Sequence, residues 1–514
     1  MVFTILEVSQ KQAYIFASNK LKDNLTNSAV IAEVLSPEYL ENTLKGHPYS
    51  DKENMIYSGG GHTILEFPSM KEVRECAAVL TEKIYRNFDG LSVFVKSLEV
   101  EETLSTGEKL NKLAELMKAL EAKKSVRRAA FHQGSFGIEG AALQTESPEK
   151  QAVSAKEEKQ ERFYYPKGYE PIKKFEELGG SRNESNFIAV VHIDGNGMGK
   201  RSETLYEQLR PLAWTKAKEQ LRRYSEGIDR DFKDAFRVMT KTVGENLADK
   251  AGIRKKLNLQ NNCFPVRRVI TAGDDICFVT EGRIGIECAA VFMEALAGKK
   301  NAVDGKGYAS CAGVALVHQK YPFYKAYDLA EKLCSNAKRF NAAISPKDQG
   351  RGISSIDWHV EFGEIGHSLD AVRKSYDTLD DRRLELRPYI AAADKEVLDA
   401  YPAHSYRRFR QLMANLTEKE EMYAAGKLKE LRGALREGRD MTKYYLAFYR
   451  MEDLLYETRD LDELDLSGLS TGEVKKQEAF VKDYDGKEHS ILFDAVELMD
   501  TFLRLDRGMA KHED

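Results

Sequence analysis

Val269-Ile270-Thr271-Ala272-Gly273-Asp274-Asp275-Ile276-Cys277-Phe278-Val279 sets two adjacent carboxylates between two apolar runs, and its reading decides the fold. The runs read as strands and Gly-Asp as a turn dipeptide, so the stretch is a β-hairpin with an acidic tip. Eighty residues upstream, Ala189-Val190-Val191-His192-Ile193-Asp194-Gly195-Asn196-Gly197-Met198-Gly199-Lys200 reads as another strand, ending in an aspartate and running through glycines into a helix. Adjacent carboxylates repel unless cations offset them. Delivered by neighbouring strands, they suit two Mg²⁺ or Mn²⁺ ions held against a triphosphate. The expected metal ligands are Asp194, the Ile193 carbonyl, Asp274 and Asp275. The expected nucleotide-binding groups are Gly195, Asn196, Gly197, Met198, Gly199 and Gly273, because glycines let backbone amides approach a phosphate chain at a helix N-terminus. Each motif taken singly is also an ordinary turn; their combination points to the metal site.

The chain of 514 residues exceeds a single hydrophobic core, and three or four domains are expected. With 42% apolar and 31% charged residues and a net charge of −4, it reads as an ordinary globular protein without a whole-chain electrostatic grip on nucleic acid. Local basic patches at 254–256 and 407–410 remain candidates for such contacts. No run of 18 apolar residues and no signal peptide is present, so a cytoplasmic protein with no membrane association is expected. The six cysteines contain no CxxC pair and read as buried thiols; the ten histidines form no HExxH or HxxxH. His192 reads as a packed structural histidine.

Residues 1–100 and 187–320 follow one order: apolar strand, helical stretch, glycine-centred hairpin, helix, strand. The first hairpin is Ile56 to Phe67 around Ser58-Gly59-Gly60-Gly61. The helices after the two hairpins contain Glu75-Cys76-Ala77-Ala78 and Glu287-Cys288-Ala289-Ala290. Order and spacing together indicate an internal duplication. The expected fold class is α+β, with two ferredoxin-like palm sheets, each covered by helices on one face, and a C-terminal helical domain. The expected divisions are 1–100, a first palm; 101–186, a helical connector and charged linker; 187–365, a second, catalytic palm; and 366–514, helical. Leu110, Leu113, Leu116 and Leu120 predict a helix in the connector, whereas Glu146 to Arg162 reads as a mobile linker or exposed insertion. The helix Ala326 to Arg339 places Lys338 near its expected C-terminal end, where it offsets the helix dipole; beside a triphosphate it becomes a γ-phosphate ligand.

The strings Gln12-Ala13-Tyr14-Ile15-Phe16-Ala17-Ser18-Asn19-Lys20-Leu21, Tyr57 to Gly61, His192 to Gly199, Gly273-Asp274-Asp275 and Arg387-Pro388-Tyr389 resemble the large polymerase-cyclase subunit of type III CRISPR effector complexes, and more distantly diguanylate cyclases. The resemblance implies Mg²⁺-dependent conversion of ATP into cyclic oligoadenylate messengers for antiviral defence, with pyrophosphate leaving. Asp194, Asp274 and Asp275 are the implied catalytic residues. The first hairpin has glycines where carboxylates would stand, so Ser18, Asn19, Ser58, Gly59, Gly60 and Gly61 are expected at the acceptor nucleotide. Family members commonly carry a histidine-aspartate nuclease domain and a zinc ribbon. Here no His-Asp dipeptide and no cysteine pairs occur, so DNA cleavage is not expected and a stand-alone cyclase is the expected form. Ala272 replaces the first glycine of the usual GGDD string. Activating RNA, other defence-system subunits and a homo-oligomer are the partners the resemblance allows. Two readings stay open beside it: a nucleotide- or RNA-binding scaffold in which synthesis is lost, and AMP transfer to another acceptor or into a cyclic dinucleotide.

Overall fold

The computed structural model describes residues 1–59, 61–125, 147–178, 186–248, 253–257, 259, 262–361, 369–419, 425–455 and 478–507. Four strands, β1 (Val2–Ser9), β2 (Met55–Gly59), β3 (His62–Phe67) and β4 (Ser92–Glu99), form one antiparallel sheet in the order β2-β3-β1-β4. The second sheet repeats that order with β5 (Phe187–Gly195), β6 (Val266–Ala272), β7 (Asp275–Glu281) and β8 (Ser310–His318). It then adds β9 (Ser354–Val360), parallel to β8, and β10 (Tyr389–Ala392) at the edge. The fold is α+β, two ferredoxin-like palms with a helical C-terminal part.

Both faces of both sheets are covered, where one covered face was expected. In β5, Ala189, Val191 and Ile193 pack with the helices Trp214–Ala248 and Gly285–Ala297, while Ile188 and Val190 pack with the helix Phe323–Ile344. A strand buried on both faces needs a near-continuous apolar run, which 187–191 and Ile193 provide, interrupted only by His192. In the first sheet, Phe3 and Ile5 pack against Leu110, Leu113, Leu116 and Leu120 of the helix Thr106–Ser125, all buried as their spacing predicts. Gly313 of β8 lets the helix Phe323–Ile344 lie on the sheet: a Cβ there would stand 1.9 Å from the Ala330 carbonyl oxygen.

Several helices join the palms, two of them through the polar contacts that follow. Trp214–Ala248, 35 residues and roughly 50 Å long, donates from Arg222 to the Met55 carbonyl at 2.6 Å, from Trp214 to Glu66 at 2.7 Å, and from the Ser225 hydroxyl to the Ser58 carbonyl. The second joining helix corrects the reading of 146–162 as a mobile linker or exposed insertion: Pro148–Glu161 is a helix set between the first palm and β6. Its polar residues have partners on either side. Lys156 pairs with Glu33 at 2.9 Å and Glu38 at 2.8 Å, Glu157 with Arg267 at 2.7 Å, and Glu161 with Arg268 at 3.0 Å. A helix polar all round is stable when it bridges two bodies in this way.

In the C-terminal part, Leu428, Leu431 and Leu435 are buried as expected, but Tyr444 and Phe448 are exposed. The segment also contributes β10 and a hairpin of β11 (Phe480–Lys482) and β12 (Glu488–Ser490). Arg410, counted in a surface basic patch from sequence, is buried and donates to Glu287 at 3.0 Å. All six cysteines are buried and free. No helix among the described residues is long and apolar enough to cross a membrane.

Candidate active site

β5 pairs with β7 so that Asp194 stands opposite Asp275, and β6 pairs with β7 so that Ala272 stands opposite Asp275, leaving Gly273-Asp274 as a two-residue turn. Gly273 has φ of +69°, the left-handed region that glycine enters without penalty. Ala272 is not among the residues of positive φ, so alanine fits there. Directly paired residues project to the same side of a sheet, so Asp194 and Asp275 share a face. That face carries the helix Phe323–Ile344, whose Lys338 donates to Asp194 Oδ2. The helix continues six residues beyond Lys338, so the expected placement at a helix C-terminus is corrected: the ammonium is positioned by Asp194, not by a terminal dipole.

Burial first, and then the neighbouring Asp194 carboxylate, push Asp274 and Asp275 both up to about 7. Solvent reaches 39% of the Asp275 side chain, so its enclosure is that of a wet cavity and not of dry packing. Asp275 Oδ1 has no hydrogen-bond donor. His192 lies beneath it, 5% exposed, with Nδ1 3.4 Å from that oxygen and its ring edge-on to Tyr327. Burial lowers the His192 pKa, which keeps the ring neutral; it is packed, as expected, but against the acidic site.

Asp274 forms part of two cavities. The smaller, about 430 Å³, is lined by Asp194, Gly195 to Lys200, Lys338, Gln349 and Arg351. The larger, about 1100 Å³, lies between the palms and is lined by Asp274, Asp275, Lys11, Arg222, Ser225 and the first hairpin. Gly197, with φ of +72°, caps the helix Met198–Leu209, and a Cβ on it would stand 2.7 Å from the Arg351 side chain. Gly195 packs against Asp274, where a Cβ would be 3.0 Å from its carboxylate. The Asn196 side-chain amide donates to the carbonyls of Gly350 at 2.7 Å and Ile353 at 3.1 Å, so it fastens the glycine loop to that segment.

Of the residues expected at the acceptor nucleotide, Ser58, Gly59 and Gly61 line the larger cavity, and Gly60 lies outside the described residues. Ser18 and Asn19 are not among the lining residues; Ser18 Oγ accepts from the Lys20 amide at 3.1 Å, and Asn19 is exposed. The short helix Lys11–Ile15, which overlaps the start of the Gln12 string, lines the cavity with Lys11 and Gln12. Arg222, Ser225 and Arg351 were missed by sequence reading. Arg222 and Ser225 sit within a long amphipathic helix, and Arg351 follows an unremarkable loop; none has a local signal.

No family model matches the chain, and no curated protein matches it. Solved structures do. The crystal structure of the Csm1-Csm4 cassette in complex with one ATP matches with a TM-score of 0.53 at 18% identity, covering 98% of this chain and 70% of that one. The apo Csm1-Csm4 cassette matches with a TM-score of 0.53 at 16% identity, covering 87% and 65%. The chain has the fold of Csm1. Csm1 in T. onnurineus gives a TM-score of 0.52 at 17% identity, covering 98% and 70%. The chain therefore spans 65% to 70% of the length of these Csm1 structures.

Proposed function

We propose that the chain is a nucleotidyltransferase that converts ATP into a cyclic oligoadenylate second messenger, with the donor triphosphate over the Gly195 to Gly199 loop and the acceptor between the palms. The observation that carries this reading is the position of Asp274, at the common wall of the two cavities. A donor α-phosphate at that wall faces an acceptor 3′-hydroxyl from the larger cavity. Csm1-Csm4 cassettes in complex with ATP, with pppApA and with cA3 share the fold and support the substrate class.

The residues fit two divalent cations. Asp194, Asp274 and Asp275 are hard oxygen ligands, two of them hold protons unusually tightly for carboxylates, and one oxygen lacks any donor. Bound Mg²⁺ or Mn²⁺ supplies charge against the triphosphate and acidifies the attacking hydroxyl. The remaining work belongs to the chain. Lys338 and Arg351 bind the outer phosphates, and the amides of Gly197 to Gly199 add donors at a helix N-terminus. The glycine hairpin and Ser225 leave room for the acceptor and orient it. The 3′-oxygen bonds to the α-phosphorus, the bond to the β-phosphate oxygen breaks, and pyrophosphate leaves with its charge countered by Lys338.

The test is incubation of the protein with each NTP and Mg²⁺ or Mn²⁺, with and without RNA, and identification of products by mass spectrometry. Cyclic oligoadenylate from ATP, absent in the Asp274→Ala/Asp275→Ala variant, is the expected result. A cyclic dinucleotide or an AMP adduct would change the acceptor. No product under any condition, with nucleotide still bound, would replace the enzyme by a binding scaffold.

A further inference from the structure

A second cluster of ligating side chains lies in the C-terminal part. The β11–β12 turn carries Asp483 and Asp485, and β12 carries His489; their ligand atoms all lie within 4.8 Å of one another. His404, from the short helical turn Pro402–His404 between β10 and the helix Tyr406–Lys419, adjoins this cluster through Asp483, with Nε2 2.9 Å from Asp483 Oδ1. Both imidazoles are held alike. His404 Nδ1 is 2.7 Å from the Pro388 carbonyl and His489 Nδ1 is 2.7 Å from the Glu385 carbonyl, so each Nδ1 carries a proton and donates it. Each Nε2 then faces a carboxylate: His489 Nε2 is 3.1 Å from Asp485 Oδ2 and 3.8 Å from Asp483 Oδ2. In a neutral ring that Nε2 is a lone pair set against a carboxylate, a repulsive contact that either a second ring proton or a metal ion relieves. A carbonyl on one imidazole nitrogen with the other aimed at a shared point is the usual support of a metal-bound histidine.

The independent sign of a ligand is Asp483 Oδ2. Its side chain is only 4% exposed and this oxygen has no hydrogen-bond donor, although Oδ1 accepts from His404 and from the Tyr484 amide. A buried carboxylate oxygen left without a partner is costly.

We propose that Asp483, Asp485, His404 and His489 bind one divalent transition ion, with Zn²⁺ the best match to two imidazole nitrogens and two carboxylate oxygens. Tetrahedral Zn²⁺ spaces such ligand atoms about 3.3 Å apart; Asp483, Asp485 and His489 already offer atoms within 4.8 Å of one another, and His404 has to close in from its contact with Asp483 Oδ1. The softer nitrogen donors separate this site from the all-oxygen site at Asp194, Asp274 and Asp275, which favours Mg²⁺. The ion ties the β11–β12 hairpin to the segment that follows β10, the edge strand of the second sheet.

Protein stripped with chelator, then loaded with Zn²⁺ in excess Mg²⁺ and desalted, should retain one equivalent by elemental analysis. Asp274→Ala/Asp275→Ala should retain it equally. Asp485→Asn, at a carboxylate 35% exposed and so safe for folding, and His489→Gln should weaken Zn²⁺ binding at least about tenfold. Co²⁺ in the wild type should give the intense visible bands of a four-coordinate N/O site, absent in Asp485→Asn. The proposal is overturned if Zn²⁺ is not retained, if retention depends on Asp274 and Asp275, or if Asp485→Asn binds as tightly as wild type; any of these leaves two protonated-histidine ion pairs as the content of the cluster.

Discussion

Lys338, within the helix Phe323–Ile344, closes an ion pair with Asp194 at the end of β5, 144 residues away in sequence. The cation pairs with a carboxylate expected to bind metal, and although burial would lower the pKa of Lys338, Asp194 holds it up. On the proposed reading, metal at Asp194 would compete with this ion pair and release Lys338 toward phosphate.

Lys338→Met should therefore weaken ATP binding and slow synthesis, with kcat/KM falling by roughly 10²-fold while the fold is retained. Steady-state kinetics with ATP and Mg²⁺ measure this directly. An unaltered kcat/KM would remove Lys338 from the phosphate site.

The acidic hairpin gives a pH dependence of known sign. Asp274 and Asp275 are pushed up to about 7 from the ordinary 3.8, so between those values the folded protein holds protons that the unfolded chain has released. Their contribution to stability is present at low pH and is lost as pH rises through about 7. The Tm of the metal-free protein should fall more steeply over this window than that of Asp274→Asn/Asp275→Asn. Mg²⁺ or Mn²⁺ should raise Tm more above about pH 7 than below it, because ions replace those protons. Parallel Tm profiles for the two proteins would contradict the assignment.

The glycine hairpin of the first palm is tested by bulk. A Cβ at Gly59 would stand 2.9 Å from Ser225 Oγ, at the wall of the larger cavity. Gly59→Val should leave binding of one ATP analogue intact, measured by calorimetry, and depress product formation by about 10²-fold through displacement of the acceptor. Loss of analogue binding together with product would place the donor, not the acceptor, on that side.

Gly313→Ala probes the seat of the Lys338 helix. Its Cβ would meet the Ala330 carbonyl oxygen at 1.9 Å and the Cys334 amide nitrogen at 2.5 Å, both backbone atoms. The helix must lift, and a loss of about 3 kcal/mol in denaturant unfolding is expected. A variant as stable as wild type would mean that helix and sheet separate at little cost.

The second palm was legible because its signals are local. The acidic tip, the glycines after Asp194 and the apolar run of β5 each depend on neighbours a few residues away, whereas the register that sets Asp194 opposite Asp275 is fixed by the sheet, since a strand buried on both faces has no alternation to specify it. The acceptor side was legible only in its hairpin. Ser18 and Asn19 were placed by resemblance to a string, whereas the cavity is lined by Gln12 at the start of that string and by Lys11 just before it. Residues 148–161 were misread because a polar helix with charges on all sides has no apolar stripe; its stability comes from Glu33, Glu38, Arg267 and Arg268, which the local sequence cannot supply.

By itself, the sequence determined two duplicated palms and an unequal pair of hairpins, one acidic and one of glycines, because strand, turn and helix preferences act over short range. Tertiary structure alone decided what those hairpins face. The helix Trp214–Ala248 holds the glycine hairpin across a cavity from Asp274 and Asp275, and close packing at Gly313 seats Lys338 beside Asp194. Such placements depend on side-chain volumes and charges brought together from distant parts of the chain, and no local pattern records them.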